Sequence, residues 1–227
     1  MEKLPLVFRK DHLFVRYGKG LLLMDTGSPQ SFGSLPSLTI AGKQFGNLPG
    51  DFPGVNVEEL SRFIGIKMAG LLGTDVMNQF DVLIDIPDGT VTFSESEIKF
   101  KGRKIPIEGL VMGVPIITVK IKGKPFRMFF DTGASIAYLN GDIPDGFQYL
   151  GQVRDFYPTD GWFMAEVFNL DFLVGKNPYR VRCGLLPEKA EKLRRGLEIM
   201  GVAGLIGIDL FKGRPIGYFP KRKLILL

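Results

Sequence analysis

Cysteine and histidine are almost absent from this chain of 227 residues, which contains one of each. The single Cys183 excludes an internal disulfide framework, and we expect it to be a small buried side chain in a reducing compartment. A protein metal site needs about three or four ligands, and a Ser-His-Asp triad would depend on His12 alone. The sequence therefore predicts no metal, no cofactor and no serine-protease chemistry.

Long apolar runs and blocks of like charge are also missing. No run of about 18 apolar residues is present, and residues 1–10 lack the apolar core of a signal peptide. The formal net charge of +5 is spread over short groups, the densest at 99–104, 189–195 and 221–223. Nucleic-acid binders usually concentrate charge on one stripe and interleave it with aromatic residues. We therefore expect a cytoplasmic protein that binds neither membranes nor nucleic acid.

What the chain does contain is a β-rich pattern that occurs twice. Branched aliphatic residues and 19 phenylalanines dominate, and amphipathic helical stretches are few. Each half runs through a proline-containing strand, alternating strands, an Asp-Thr-Gly tripeptide, a helical patch, an apolar-apolar-Gly segment and a closing hairpin. This order predicts a mostly all-β protein with an N-terminal lobe at 1–94, a linker at 95–102 and a C-terminal lobe at 103–227. Short helices are predicted at 57–63 and 187–200.

The Asp-Thr-Gly tripeptides begin at Asp25 and Asp131, and each follows a run of apolar residues. A carboxylate at the end of a buried strand is costly to desolvate and is rarely placed there for stability. Two such carboxylates brought face to face can share one proton, as in peptide hydrolysis by paired aspartates. The repeat therefore predicts that Asp25 and Asp131 form one catalytic site between the halves.

The sequence around these motifs resembles the aspartic protease family. Each half is similar to a retropepsin-type protomer, with apolar-apolar-Gly segments at 71–73 and 205–207 that match the family's segment behind the catalytic turns. The resemblance implies a two-lobed acid-protease fold with pseudo-twofold symmetry. It also implies a monomer that acts as an intramolecular pseudo-dimer on an extended polypeptide, without a cofactor. Since only 24 residues precede Asp25, we expect no zymogen processing.

The resemblance also assigns supporting roles to the residues beside each aspartate. Thr26 and Thr132 would brace the opposing turn through hydrogen bonds, and Gly27 and Gly133 would let backbone N–H groups approach the carboxylates. Ser28 is able to hydrogen-bond Asp25, whereas Ala134 has no hydroxyl for Asp131. We therefore expect Asp25 to be the more often ionised partner.

The second half contains more than 30 residues between Gly133 and the next matching strand, where the first half has ten. An Asp-Gly turn at 160–161 predicts a hairpin near 147–169 in this extra length. In the family this is the position of the flap that closes over substrate, which makes Tyr157, Gly161 and Trp162 candidate substrate-binding residues. A surface hairpin stabilised by aromatic pairing is the alternative.

Two other functions remain open from the sequence. A non-catalytic peptide-binding or inhibitory module would retain the fold, although such proteins usually lose one aspartate. A basic nucleic-acid-binding β-protein is disfavoured by the scattered charge. Apolar residues are expected in the cleft, with Phe32, Ile136 and Tyr138 as candidates.

Overall fold

A computed structural model describes residues 1–52, 54–142 and 146–227, and they form mostly β-structure, as the composition predicted. The first half contains strands β1 (Glu2–Arg9), β2 (His12–Tyr17), β3 (Gly20–Met24), β4 (Phe32–Gly33), β5 (Leu38–Ile40), β6 (Lys43–Phe45), β7 (Gly70–Leu72), β8 (Asp81–Asp85) and β9 (Thr90–Ser94), with helices α1 (Val57–Ile64) and α2 (Thr74–Met77). None of the helices in the described segments is long and apolar enough to cross a membrane.

The described residues of the second half include one α-helix and two 3-10 helices within a longer series of strands. The strands are β10 (Lys104–Pro106), β11 (Gly109–Val111), β12 (Val114–Ile121), β13 (Lys124–Phe130), β14 (Ala137–Leu139), β15 (Gln148–Tyr157), β16 (Gly161–Val174), β17 (Asn177–Leu185), β18 (Gly204–Ile206), β19 (Pro215–Phe219) and β20 (Leu224–Leu226). The helices are α3 (Glu191–Ile199) and the 3-10 turns Ile208–Phe211 and Pro220–Arg222.

Strands from both halves share one large sheet. Its ten strands follow the order β10-β20-β19-β8-β9-β1-β2-β3-β7-β4, and an eight-stranded sheet has the order β11-β12-β13-β18-β14-β17-β16-β15. The halves join where β19 pairs antiparallel with β8, with Ile216 opposite Ile84. Both side chains are buried in a core cluster that includes residues from the two halves, so the halves are packed against each other as well as hydrogen-bonded.

The duplication predicted from the sequence is visible in the strand pairing. Strand β3 runs parallel to β7, and β13 runs parallel to β18 in the same way. The short strands β4 and β14 then pair antiparallel with β7 and β18. Gly73 and Gly207 follow these strands, and a Cβ on either would lie 2.8 or 2.7 Å from the carbonyl oxygen of Ser28 or Ala134. Both glycines are therefore required by the close approach of two backbone segments.

The opening strands of the two halves differ in continuity. Strand β1 pairs with β9 through its first residues and with β2 through its last. In the second half two separate strands make the corresponding pairings: β10 pairs with β20, and β11 pairs with β12. The break lies at Ile107 and Glu108. The Ile107 N–H donates to Lys223, just before β20, and the Glu108 N–H donates to Ile116 in β12 on the other sheet. Strand β1 of the first half thus corresponds to the two short strands β10 and β11 of the second half.

The predicted linker is anchored to the shared sheet. Residues 95–103 form no helix or strand, but the N–H of Ile98 donates to the buried carboxylate of Asp81 at 2.9 Å. Arg222 also donates to Asp81 at 2.6 Å, and Ile98 packs with Phe219. The linker is therefore part of the packed interface between the two halves.

Two elements of the second half differ from the sequence prediction. Strand β16 continues to Val174, where a separate strand was expected, and β17, which the pattern did not reveal, pairs along it. The helix predicted at 187–200 begins at Glu191, because the preceding residues form a turn in which the Ala190 N–H donates to Pro187. Its first free N–H groups bond to Asp160, which lies outside the helix.

Candidate active site

The two Asp-Thr-Gly turns are joined by a symmetric set of hydrogen bonds. The N–H of Thr26 donates to the Thr132 hydroxyl at 3.0 Å, and the N–H of Thr132 donates to the Thr26 hydroxyl at 2.9 Å. Each hydroxyl in turn donates across the interface, Thr26 to the Phe130 carbonyl at 2.7 Å and Thr132 to the Met24 carbonyl at 2.8 Å. Both threonines are fully buried, so these four bonds fix one turn relative to the other.

Asp25 and Asp131 lie against each other's turn. A Cβ added to Gly27 would be 2.5–2.6 Å from the carboxylate oxygens of Asp131, and a Cβ on Gly133 would be as close to those of Asp25. Any side chain at either glycine would therefore displace the opposing carboxyl group. The two carboxyl groups are close enough for each to influence the pKa of the other. The structure thus brings together the two aspartates that the sequence predicted.

Backbone donors hold the two carboxyl groups in nearly identical ways. In each, Oδ1 accepts the N–H groups of the residues two and three positions further along. The donors are Gly27 and Ser28 for Asp25, at 2.8 and 3.1 Å, and Gly133 and Ala134 for Asp131, at 2.9 and 3.2 Å. Such bonds favour the ionised form and fix the carboxylate plane.

Ser28 does not have the role that its sequence position suggested. Its hydroxyl donates to the Gln30 carbonyl at 2.9 Å, instead of to Asp25 as we expected. The chain reverses here toward β4, and the nearest free acceptor for the hydroxyl is a backbone carbonyl of that turn. Ser28 therefore contributes its backbone N–H to Asp25, as Ala134 does for Asp131, and the side-chain difference between them does not distinguish the carboxyl groups.

Burial makes both carboxyl groups bind a proton more tightly than an exposed aspartate does. Burial, followed by the charge of Asp131, raises the pKa of Asp25 well above its ordinary value of 3.8. Burial also raises the pKa of Asp131, while hydrogen bonds from the N–H groups of Gly133 and Ala134 act against that rise. Because both pKa values are raised, the two carboxyl groups can share one proton, and the Ser28 hydroxyl bond that led us to expect a more ionised Asp25 is made to Gln30 instead. The pair titrates as a unit in two steps.

The aspartates open onto a cavity of about 240 Å³ with one apolar wall from each half. The first-half wall contains Leu23, Phe32, Val55, Leu60, Ile64 and Leu71, and the second-half wall contains Phe129, Tyr138, Phe163, Leu193, Leu197 and Leu205. Of the predicted cleft residues, Phe32 and Tyr138 line this cavity, and Ile136 is buried in the core behind it. Apolar walls exclude water and strengthen electrostatic interactions at the aspartates.

The predicted hairpin forms and covers this cavity; we call residues 147–169 the flap. Tyr157 lines the cavity, and burial followed by the charges of Asp131, Asp160 and Asp25 raises its pKa to about 12. Gly161 follows the turn with φ +77°, a conformation that favours glycine. Trp162 does not line the cavity; it lies in a shallow groove on the opposite side of the flap. Of the three predicted flap residues, only Tyr157 therefore reaches the aspartates' cavity.

Trp162 and Phe156 connect the flap to the other half of the molecule. Phe63, in α1, stacks on Phe156 with ring centroids 4.7 Å apart and meets Trp162 edge-on at 5.4 Å. The guanidinium of Arg154 lies 4.2 Å from the Trp162 ring centroid. Helix α1 is fixed at its start by Asn56, which accepts the Glu59 N–H in a capping box. The flap thus rests on a well-anchored helix.

The turn of the flap is attached to its own half. Asp160 accepts the N–H groups of Lys192 and Leu193 at 3.1 and 3.2 Å, and the Lys192 side chain donates to the Thr159 carbonyl at 2.9 Å. Asp160 therefore caps the N-terminus of α3, where a negative charge is favourable. With Phe63 on one side and α3 on the other, the flap is held closed over the cavity.

Sequence reasoning missed two titratable residues in the cavity wall, His12 and Asp155. Burial lowers the pKa of His12, whose Nδ1 lies 2.6 Å from the Lys10 carbonyl oxygen. Asp155, in β15, accepts a short hydrogen bond from the Tyr138 hydroxyl. Neither residue belongs to a motif, and only the pairing of distant strands brings them to the aspartates.

Cys183 is fully buried, as predicted, and burial raises the pKa of its thiol to about 12. Its thiol is therefore protonated and inert at neutral pH.

No protein-family model matches this chain, and no match was found among curated proteins. The functional interpretation consequently depends on the geometry of the two Asp-Thr-Gly turns and of the cavity above them.

Proposed function

We propose that the chain is an aspartic-type endopeptidase with a two-lobed, pseudo-twofold acid-protease fold and a catalytic pair formed by Asp25 and Asp131. One observation carries the proposal: reciprocal threonine hydrogen bonds hold two half-buried carboxyl groups face to face. A fold gains nothing in stability from such a pair, because burial penalises both charged forms. The pair is accounted for if it performs general acid–base catalysis.

The proposed reaction uses one proton shared between the two groups. Ionised Asp131 accepts a proton from a water molecule that attacks the peptide carbonyl carbon, while protonated Asp25 donates to the carbonyl oxygen. The resulting tetrahedral diol collapses as the leaving nitrogen takes up a proton from the pair. Backbone N–H donors from the glycine turns keep both carboxyl planes in position during these transfers.

The proposed substrate is an extended polypeptide. Apolar walls on both sides of the pair suit apolar side chains flanking the scissile bond. Strand β15 forms the end of the eight-stranded sheet, so a substrate strand has an edge beside which to lie. Both aspartates come from one chain, and we therefore propose a monomer that works as an intramolecular pseudo-dimer. A cytoplasmic location is part of the proposal, consistent with the buried free thiol of Cys183.

The test is cleavage of a denatured protein mixture, mapped by mass spectrometry across a pH series, with wild-type protein and the variants Asp25→Asn and Asp131→Asn. We expect each single change to lower kcat/KM by about 10³-fold or more, because both protonation roles are needed. Asp88→Asn, at an exposed carboxylate, is the matched control and should leave cleavage unchanged. A peptide-like transition-state analogue such as pepstatin should inhibit the wild type.

The alternative function, a non-catalytic peptide-binding or inhibitory module, gives a different result in the same experiment. Peptides would then bind in the cleft, and their dissociation constants would change with Asp25→Asn, but no fragments would appear at any pH. Cleavage that survives either aspartate substitution would refute the shared-pair mechanism.

A further inference from the structure

Asp155 is a third carboxylate in the wall of the catalytic cavity, and the proposed reaction does not use it. It lies in β15, opposite Phe163 of β16, on the arm of the flap that faces the cleft. Its Oδ2 accepts the Tyr138 hydroxyl, and its Oδ1 accepts the N–H of Phe156 at 2.8 Å. Since a carboxylate has about four acceptor positions, Asp155 retains capacity for further donors from the cavity side.

No cation is paired with Asp155 among the ion pairs of residues 1–52, 54–142 and 146–227. Its neighbour Arg154 is directed to the other face of the flap, onto Trp162. The titratable groups that act on it are Tyr138 from β14 and His12 from β2. Burial lowers the pKa of His12, so that ring is neutral at pH 7 and supplies no counter-charge.

The surroundings of Asp155 suit a side chain with a long apolar stem and a cationic end. Tyr138 and Phe163 are buried beside it, with ring centroids 6.1 Å apart. The methylene groups of a lysine pack on such aromatic surfaces while the ammonium group reaches a polar partner. A neutral apolar side chain would fill the same space but would leave the carboxylate desolvated and unpaired, which is costly.

We propose that Asp155 makes the cleft selective for peptides with a basic side chain at one of the positions flanking the scissile bond. The proposal rests on the endopeptidase function proposed above. Burial raises the pKa of the Asp155 carboxyl group, and a bound ammonium group would lower it again and restore the ionised form. A hydrogen bond to a charged partner of this kind corresponds to a preference of about 10- to 100-fold.

The test uses pairs of fluorogenic peptides that are identical except for lysine or norleucine, with the variable residue moved through each position around the cleaved bond. Wild-type protein should show, at one position, a lysine-to-norleucine ratio of kcat/KM of about ten or more. Asp155→Asn retains an acceptor for Tyr138 but removes the charge, and the ratio should fall to near one. Tyr138→Phe removes the hydroxyl, leaves the carboxylate, and should keep the ratio above one.

The outcomes that overturn the inference are separable from failure of the proposed function. A ratio near one at every position in actively cleaving wild-type protein overturns the role of Asp155 alone. So does an equal loss with both peptides in Asp155→Asn and Tyr138→Phe, since that pattern indicates a structural bond. If wild-type protein cleaves no peptide at any pH, both the endopeptidase function and the role of Asp155 are refuted.

A second readout needs no variant. The ratio for the wild type should decrease as pH falls, because protonation of Asp155 removes the negative charge and protonation of His12 adds a competing cation. Titration of Asp25 and Asp131 affects both peptides alike and cancels in the ratio. A ratio that stays constant from neutral pH to pH values below the ordinary carboxyl pKa would contradict the inference.

Discussion

Asp25 and Asp131 occupy positions where a carboxyl group lowers the stability of the fold. The folded protein binds the shared proton more tightly than the unfolded chain does, because burial raises both pKa values. Ionisation at neutral pH therefore reduces the free energy of unfolding, by about 1.4 kcal/mol for each unit by which a pKa is raised. Tolerance of such a cost is typical of active sites.

This cost predicts that Asp25→Asn stabilises the protein at neutral pH. The amide leaves a single ionisable group at the site and removes the repulsion between two carboxylates, so its free energy of unfolding at pH 7 should exceed that of wild type by about 1 kcal/mol or more. The difference should be complete above the raised pKa of Asp25 and should vanish as pH falls below 3.8, its ordinary value. Urea denaturation at a series of pH values measures it. A variant less stable than wild type at pH 7 would show that the carboxyl group has a net structural role.

The threonine hydroxyls have the opposite effect and stabilise the interface. Thr26→Val keeps the shape of the side chain but leaves the Phe130 carbonyl and the Thr132 N–H without partners. Each unsatisfied buried group costs about 1–3 kcal/mol, so we expect a loss of about 2–4 kcal/mol in urea denaturation. Thr26→Ser retains the hydroxyl and is the matched control, with a smaller loss. Equal losses in the two variants would mean that the methyl group matters more than the bonds.

At this scale the sequence predicts the motif residues and not their surroundings. Asp25, Asp131 and the flanking glycines are identifiable because two copies of one tripeptide occupy equivalent places in a repeat. His12 and Asp155 are single polar residues at ordinary strand positions, and only tertiary pairing brings them to the cavity. The role expected for Ser28 was wrong because a hydroxyl bonds to the nearest suitable acceptor, which the local turn determines.

Among the secondary-structure elements, the flap has the largest influence on access to the cavity. It is held from two sides, by Phe63 of α1 and by the backbone N–H groups of α3 that bond to Asp160. In the proposed function, a substrate that enters the cleft must separate at least one of these contacts. Lid opening of this kind is rate-limiting in many enzymes.

Phe63→Ala should therefore loosen the flap. The variant loses the stacked and edge-on contacts with Phe156 and Trp162, each worth about 0.5–1.5 kcal/mol. Because Trp162 is the only tryptophan, its fluorescence reports directly on the flap, and we expect a red-shifted emission together with a changed KM. Phe63→Leu keeps an apolar contact and should give an intermediate spectrum. An unchanged emission maximum in Phe63→Ala would show that the flap is held by α3 alone.

Sequence patterns predict the hairpins better than the shortest strands. The two closing hairpins and the flap have clear turns and alternating arms, and each forms near its predicted position. Strands β4 and β14 contain two and three residues, and only their pairing with β7 and β18 defines them. Helix α3 begins later than its sequence suggests because its cap, Asp160, comes from a distant turn.

For the whole molecule, the shared ten-stranded sheet determines cooperativity. The first half contributes seven of its strands, and β10, β19 and β20 complete the order. The two halves also bond through Arg222 and Asp81, with Asp81 almost fully buried. Without the other half, each half would therefore have an unpaired strand edge and unpaired side chains at this interface.

We predict that fragments 1–102 and 103–227 do not fold independently as monomers. The first loses the strand beside β8, the second loses the strand beside β19, and each loses the partner of its buried threonine. Circular dichroism of the separate fragments should show no cooperative thermal transition, and co-expression should restore one. Fragment 1–102 already includes the linker, and comparison with 1–94 controls for the anchoring of Ile98. A sharp transition in either isolated monomeric fragment would contradict a single cooperative unit.

The parallel pairing behind each aspartate also has a consequence for synthesis on the ribosome. The N–H of Asp131 bonds to the Ile206 carbonyl, and the strand beside β8 comes from residues 215–219. Because the chain is made from its N-terminal end, Asp25 leaves the ribosome long before Ile206, which bonds to the turn of Asp131, has been translated. The pair cannot assemble until both distant segments have left the exit tunnel. Chain connectivity thus delays assembly of the site until residues 206–219 have been translated, and nascent proteins nearby meet the proposed hydrolase only after that point.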